Sequence, residues 1–176
     1  NDIIFTGQSS NNYAVNITNS AGISVINNSI QANGIKYLHG IIISADDFAI
    51  EDNTVIVSST ENACGINIYG PSKGIVKNNC LEIKAKKAVY SISTNPSTGP
   101  VQVRYINNNI NSEAYFVVGI YDDSESILNN TIYLTGNYGI GIVFLSKGAN
   151  VTGNNITLNV TNNDSDYEVQ DDNVEV

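Results

Sequence analysis

A short motif built around paired asparagines recurs along the whole chain and limits its fold more than any other feature. Each copy has an apolar residue, any residue, then Asn, Asp or Gly, then Asn, any residue and an apolar residue. The copies are Val25–Ile30, Ile50–Val55, Val76–Leu81, Tyr105–Ile110, Ile127–Ile132 and Val151–Ile156, with a degenerate copy at Val169–Val174. Internal repeats of this length are typical of solenoid proteins, in which every repeat stacks on the next.

The second asparagine of each copy anchors the repeat, and the anchors follow one another at intervals of about 25 residues, as from Asn28 to Asn53. The residue two positions after each anchor is always apolar, and the residue four positions after it is apolar except at Ser112. This period of two is that of a strand with one buried face. Two further apolar segments separate successive anchors, such as Gly40–Ile43 and Phe48–Ile50. Each repeat therefore predicts three short strands joined by polar turns.

The repeat predicts an all-β fold, namely a right-handed, single-stranded parallel β-helix (a solenoid) of about seven coils with three short strands each. A single coil cannot bury its inner face, so each strand pairs with its copy one repeat further on. The right hand follows from the general preference of parallel crossovers. We expect residues 1–176 to form one domain. Because the motif runs into both termini, we also expect the chain to be a fragment of a longer repeat protein.

The two residues at the centre of the motif have different predicted roles. The first begins a turn that needs a left-handed backbone, which Asn, Asp and Gly tolerate. The second recurs one coil above and below, so its amide can bond to the next amide in a ladder that pairs otherwise buried groups. The ladder residues are Asn28, Asn53, Asn79, Asn108, Asn130 and Asn154. We predict that these residues are structural.

The composition excludes several functional classes. The net charge is −9 and the chain has one histidine, so the sequence offers neither a basic patch for nucleic acid nor a histidine metal cluster. No run approaches the roughly 20 apolar residues of a membrane-spanning helix. We therefore expect no nucleic-acid partner and no membrane insertion.

The Asn-Asn-x-Ile repeat, the abundance of Asn and Ile and the acidic balance resemble the β-helix repeats of adhesin-like surface proteins of methanogenic archaea. More broadly, they are similar to the pectate-lyase-like β-helix superfamily. The resemblance implies secretion, display at the cell surface and contact with a glycan or protein of another cell. It favours a non-catalytic, extracellular adhesin-type segment that presents or spaces a binding face, with glycans as candidate ligands.

A pectate-lyase-like polysaccharide lyase or glycoside hydrolase is the alternative function. Carbohydrate-active β-helices cluster acidic and basic residues on an outer face, and glycoside hydrolysis needs two carboxylates. Arg104 and His39 lie in different coils from Asp122–Asp123, and Asp46–Asp47 lies three coils away from that pair. The outward positions of the first strand in each coil are predicted to be uncharged, namely Asn16, Ile42, Asn67 and Ser91. We therefore predict no catalytic residues.

Outward polar and aromatic side chains, near the first strand and at the position three residues after an anchor, predict a binding surface. Tyrosine can stack its apolar face on a sugar or anchor a protein partner, although scattered surface residues are the competing interpretation. The candidate binding residues are Asn67, Tyr69, Tyr121, Asp122, Asp123 and Tyr133. Tyr105 takes an apolar position of the motif and is predicted to lie inside.

No cofactor is predicted, and two acidic turns are the only candidates for Ca²⁺. The turns are Asp122–Glu125 and Asp164–Asp166, and both lack the ligand spacing of a dedicated Ca²⁺ loop. Solvated turns are the preferred interpretation. Cys64 and Cys80 are the only cysteines, and we expect both to be free thiols because their strand positions do not bring them together.

Overall fold

The computed structural model describes residues 1–95, 99–122, 126–144 and 150–161, which form fifteen β-strands and no helix. The strands are β1 (Asp2–Gly7), β2 (Asn11–Ile26), β3 (Ser29–Gly34), β4 (Tyr37–Glu51), β5 (Thr54–Ser59), β6 (Asn62–Tyr69), β7 (Ser72–Lys77), β8 (Cys80–Ala85), β9 (Ala88–Asn95), β10 (Val101–Ile106), β11 (Asn109–Asp122), β12 (Ser126–Leu128), β13 (Thr131–Phe144), β14 (Asn150–Thr152) and β15 (Asn155–Val160). All pairings between these strands are parallel, and the described residues complete about six turns. The predicted parallel β-solenoid is therefore confirmed.

The strands stack into three faces. The ladder face consists of β1, β3, β5, β8, β15 and the first parts of β11 and β13. The second face consists of β6, β9, the first parts of β2 and β4, and the last parts of β11 and β13. The third face consists of β7, β10, β12, β14 and the last parts of β2 and β4. Each face repeats one strand of the predicted three-strand coil.

Four strands are longer than the sequence predicts. β2, β4, β11 and β13 contain 16, 15, 14 and 14 residues, and each passes from one face to the next without a break. The pairing of β2 with β4 runs from Asn11 opposite Tyr37 to Ile26 opposite Glu51, with one register shift near the corner. Hydrogen bonding between coils therefore continues around these corners, where the sequence suggested separate short strands.

The core is a stack of aliphatic side chains in matching positions of successive coils. On the ladder face, the residues two positions after the anchors are at most 1% exposed at Ile30, Val55, Leu81, Ile110 and Ile132. They lie opposite one another in the strand register. The motif therefore identified the buried side of this face correctly.

Two polar exceptions inside the core pair with each other. Ser112, the one polar residue four positions after an anchor, is 1% exposed. Its Oγ lies 2.7 Å from the Oγ of Ser91, which also donates a hydrogen bond to the Val118 carbonyl oxygen.

Tyr105 is fully buried, as predicted. Its hydroxyl donates a hydrogen bond to the Asp122 carboxylate at 3.0 Å.

The ladder asparagines form one continuous column of side-chain hydrogen bonds. The backbone N–H and the Nδ2 amide of Asn53 both donate to Oδ1 of Asn79, at 3.0 Å in each case. Asn79 Nδ2 also donates to the Ile50 carbonyl oxygen in the preceding coil at 2.9 Å. The amide-to-amide bonds, all of 2.9–3.2 Å, link Asn1, Asn28, Asn53, Asn79, Asn108, Asn130 and Asn154 in that order. Each buried amide therefore binds backbone and side chain in the neighbouring coils.

The residue before each ladder asparagine has the left-handed backbone that the motif predicts. The φ angles are 55° at Asn27, Asp52, Asn78 and Asn107, 54° at Asn129 and 71° at Gly153. In this region a Cβ crowds the following carbonyl, a penalty that Gly avoids and that Asn and Asp tolerate. This requirement explains why only Asn, Asp and Gly occupy the position.

Removal of one central ladder amide should destabilise the solenoid. In Asn79→Ala the backbone N–H and side-chain amide of Asn53 lose their shared acceptor inside the protein. We expect the free energy of unfolding to fall by about 2–5 kcal/mol, measured by urea denaturation. The control is Asn111→Ala, because Asn111 is exposed on the same face. It should change stability by less than about 0.5 kcal/mol. Equal losses in both variants would contradict the ladder's role.

Substitution at Asn107 should separate the backbone requirement from side-chain bonding. Asn107→Gly should leave stability almost unchanged, since Gly153 already occupies the equivalent position of a later coil. Asn107→Ala should reduce the free energy of unfolding by about 1 kcal/mol because alanine is strained at positive φ. Thermal unfolding of the two variants checks this order, and a more stable alanine variant would contradict it.

Candidate functional site

Aromatic rings gather on the outer surface of the second face. Tyr13, His39, Cys64 and Tyr90 occupy the same register position of four successive strands. The ring centroids of Tyr13 and His39 are 5.4 Å apart, and those of Tyr90 and Tyr121 are 6.0 Å apart. Such contacts stabilise aromatic clusters beyond the area that they bury. This face therefore presents an ordered aromatic surface.

The described residues of this face line a larger and a smaller cleft, and the larger one has a volume of about 570 Å³, within the range of roughly 300–1,000 Å³ that is usual for ligand sites. Tyr13 and Tyr69 contribute aromatic rings to it, and Ile42 contributes an aliphatic surface. Hydroxyl and amide groups complete the lining, which comprises Tyr13, Asn16, Thr18, Asn19, Ile42, Ser44, Tyr69, Gly70 and Pro71. The cleft can contact the apolar and the polar groups of one ligand.

The smaller cleft has a volume of about 120 Å³ and adjoins the larger one. It is lined by Tyr37, His39, Asn62, Ala63, Cys64, Asn67, Ala88, Tyr90 and Ser93. Asn67 Nδ2 donates a hydrogen bond of 3.4 Å to the hydroxyl of Tyr69, which belongs to the larger cleft. The contact between Tyr13 and His39 also joins one residue of each cleft. The two clefts are therefore neighbours.

Gly65 in β6 allows a close approach of the strand to the core, and this bend brings two residues of β6 to the smaller cleft. A Cβ on Gly65 would lie 2.5 Å from the Ser91 carbonyl oxygen and 2.9 Å from Ile83, so only glycine permits this close approach of strand and core. Cys64 and Asn67 are three positions apart and would point to opposite sides of a regular strand. Both line the smaller cleft, because the strand departs from regular alternation between them.

Two polar atoms of the smaller cleft have no hydrogen-bond partner among the described residues. They are Nδ1 of His39 and Oδ1 of Asn67, both buried. Asn67 is 8% exposed. Burial lowers the pKa of His39 from 6.5 to about 4, so its imidazole is neutral near pH 7. Unpaired buried polar atoms are unfavourable, which makes these two atoms candidates for contact with a ligand.

Cys64 contributes a neutral thiol to the same cleft. Burial raises its pKa to about 12, and its Sγ donates a weak hydrogen bond to the Ile66 carbonyl oxygen at 3.5 Å. Cys64 and Cys80 are both free, as expected, the first buried and the second exposed. At neutral pH the Cys64 side chain is therefore an apolar part of the cleft wall.

Three of the predicted binding residues lie on the second face. Asn67 lines the smaller cleft and Tyr69 the larger one. Tyr121 shares the register column of Asn67, with Ser93 between them, and packs its ring against Tyr90. The structure therefore brings Asn67, Tyr69 and Tyr121 together on one surface.

The other predicted binding residues lie elsewhere. Asp122 is fully buried and binds the Tyr105 hydroxyl, which corrects the expectation that it is exposed. Since Tyr121 faces outward, the next residue of the strand turns inward. Tyr133 is 42% exposed on the ladder face, away from both clefts. Asp123 and the rest of its acidic turn lie outside the described residues, as do the Asp164–Asp166 turn and the degenerate copy at Asp172.

One expected outward position is also corrected. Ser91 is buried and bonds to Ser112, whereas the register places Ser93 opposite Asn67. Alignment of the repeats had placed Ser91 opposite Asn67, and the residue actually opposite Asn67 comes two positions later. Ser93, which is partly exposed, takes the outward position and lines the smaller cleft.

His39, Tyr13, Tyr37 and Tyr90 belong to this site but were not predicted from the sequence. The sequence does contain a signal for Tyr13, His39 and Tyr90. Each of them directly precedes a small residue at the bend of the first strand in its coil. The pairs of this kind are Tyr13–Ala14, His39–Gly40, Cys64–Gly65 and Tyr90–Ser91. Alignment of the coils on these small residues would have placed the aromatic column correctly.

Comparison of the chain with models of known protein families, with curated proteins and with solved structures finds no match. Within the described ranges, no group of three or more His, Cys, Asp or Glu side chains could hold a metal ion. No helix in that part of the chain is long and apolar enough to cross a bilayer. A functional proposal therefore depends on the geometry and chemistry of the second face.

The partly buried His39 should make stability depend on pH. Its pKa is lowered in the folded protein, so between pH 6.5 and about pH 4 the unfolded chain binds a proton that the folded protein excludes. This contribution to stability is complete above pH 6.5 and is lost as the pH falls towards 4. Relative to His39→Gln, the native protein should lose an additional 2–3 kcal/mol, roughly, between about pH 7 and 4.5. Urea unfolding at both pH values checks this, and equal losses would contradict it.

Proposed function

We propose that this chain is a non-catalytic segment of an extracellular, adhesin-type β-helix protein that binds glycans through its second face. The observation that carries this proposal is the pair of adjoining clefts lined by tyrosine rings, amides and hydroxyls. A sugar ring has apolar C–H faces, which stack on aromatic rings, and a rim of hydroxyls, which bond to amides and hydroxyls. Both kinds of contact are available here within one continuous surface.

The charge of the clefts favours binding over hydrolysis. Neither cleft has an Asp, Glu, Lys or Arg among its described lining residues, and His39 is neutral near pH 7. The usual mechanisms of glycoside hydrolysis require two carboxylates at the scissile bond. A pectate-lyase-like lyase or glycoside hydrolase is therefore the weaker alternative, with release of reducing or unsaturated sugars as its assay.

The shape of the fold suits display at a cell surface. The ladder and the paired strands hold the outer side chains in fixed positions along the stack, so the binding surface exists before a ligand arrives. Preorganisation of this kind lowers the entropic penalty of binding. The resemblance to adhesin-like proteins of methanogenic archaea supports an extracellular location and a glycan or protein partner on another cell.

A glycan array tests the proposal with a matched pair of tyrosine variants. Tyr13 lines the larger cleft and is 37% exposed, whereas Tyr133 is 42% exposed on another face. The native chain should bind a subset of glycans. Tyr13→Ala should weaken that binding about tenfold or more, because an aromatic contact is lost. Tyr133→Ala should bind like the native chain. Absence of glycan binding, or equal weakening in both variants, would sink the proposal.

A further inference from the structure

The smaller cleft has the size of a substituent of a sugar. Its volume of about 120 Å³ is about a fifth of the 570 Å³ of the larger cleft. A cleft of this relative size suits a small substituent such as an acetamido group, which has four non-hydrogen atoms. The larger cleft, at about 570 Å³, has room for the rings themselves.

The unpaired atoms of the smaller cleft match the polar atoms of an acetamido group. Asn67 Oδ1 is an acceptor without a partner, since its Nδ2 already bonds to Tyr69, and it needs an N–H or O–H donor. The second atom, His39 Nδ1, belongs to a neutral imidazole and donates in the tautomer with the proton on Nδ1. The acetamido N–H and carbonyl oxygen would supply these two partners.

The remaining wall of the smaller cleft is apolar. Ala63, Ala88 and the thiol of Cys64 line it, and they offer a place for a methyl group. A hydroxyl substituent on the sugar would make no contact with this apolar wall. A carboxylate or an ammonium group would be desolvated there without an opposite charge among the lining residues. The lining therefore favours a neutral substituent with both a methyl and an amide.

A path to the buried atoms is available at the rim. Tyr37 is 54% exposed, and its ring is nearly parallel to that of His39, with the centroids 6.5 Å apart. Exposed side chains change rotamer within nanoseconds, so we expect rotation of Tyr37 to give a ligand access to the imidazole, whose Nδ1 atom is buried in the structure. A sugar in the larger cleft can then insert its substituent beside the bond between Asn67 and Tyr69.

We infer, on the basis of the proposed glycan-binding function, that the smaller cleft recognises the acetamido group of an N-acetylated amino sugar. The larger cleft holds the sugar rings through Tyr13, Tyr69 and Ile42. Asn67 and His39 are specificity-determining residues in this arrangement. The ligand class is a neutral glycan rich in N-acetylated sugars, in place of a uronic acid polymer.

Isothermal titration calorimetry with three matched oligosaccharides tests the inference. The probes have the same linkage and length and are built from glucose, glucosamine or N-acetylglucosamine, so they differ only in the substituent. The native chain should bind the N-acetylated oligosaccharide about tenfold more tightly than either of the others. Similar affinities for the glucose and N-acetylglucosamine probes would overturn the inference.

Two variants assign the preference to the smaller cleft. Asn67→Leu removes the acceptor, and Ile42 at the same register position of the neighbouring strand shows that an aliphatic side chain fits there. Ala88→Leu fills the cleft, and Phe116 at the matching position of the next strand shows that a large side chain is tolerated. Each should reduce the preference for the N-acetylated probe over the glucose probe to within about twofold, as a ratio measured within the same variant.

A control variant and the array separate the two proposals. Asn111→Leu changes an exposed asparagine on the ladder face and should retain the full preference. Preference retained in both Asn67→Leu and Ala88→Leu, with native circular dichroism spectra, would overturn the acetamido assignment. Glycan binding through Tyr13 would then still stand. Failure of every glycan on the array would instead overturn the proposed function.

Discussion

The asparagine ladder is the interaction on which the rest of the structure depends. From Asn53 to Asn154, each ladder side chain accepts two hydrogen bonds from the preceding coil and donates back to a carbonyl of that coil, as Asn79 does with Asn53 and Ile50. A slip of one residue would leave these buried amides unpaired and would turn the aliphatic column of the ladder face outward. The ladder therefore sets the register of all three faces, including the one that carries the clefts.

The second face combines this fixed register with one local departure from it. Gly65 lets β6 approach the core closely, so Cys64 and Asn67 line the same cleft. The strand before it carries Gly40 in the same place, where a Cβ would lie 2.6 Å from Val55. The bend recurs from coil to coil. The column of Tyr13, His39, Cys64 and Tyr90 lies next to it on the outer surface. A regular β-strand would have divided these side chains between the interior and the surface.

The parts of the fold that the sequence predicts are those marked by the motif. Left-handed Asn107, buried Ile110 and the interior position of Tyr105 all follow from their distance to an anchor. The second face is marked only by the small residue at its bend, and this bend breaks the period of two on which strand assignment depends. For this reason Ser91 was placed outside and His39 was missed. Asp122 was predicted to be exposed because a charged residue is rarely buried. In the structure it lies inside, where its carboxylate accepts a hydrogen bond from Tyr105.

The corner between the second and third faces lies away from the ladder and differs from coil to coil. β4 crosses it without interruption, whereas Gly70 and Pro71 separate β6 from β7 and line the larger cleft. Residues can therefore be inserted or exchanged at this corner while the amide column and the aliphatic stack stay as they are. The architecture therefore separates the residues that are required for folding from the outer residues of this corner, which are free to diverge.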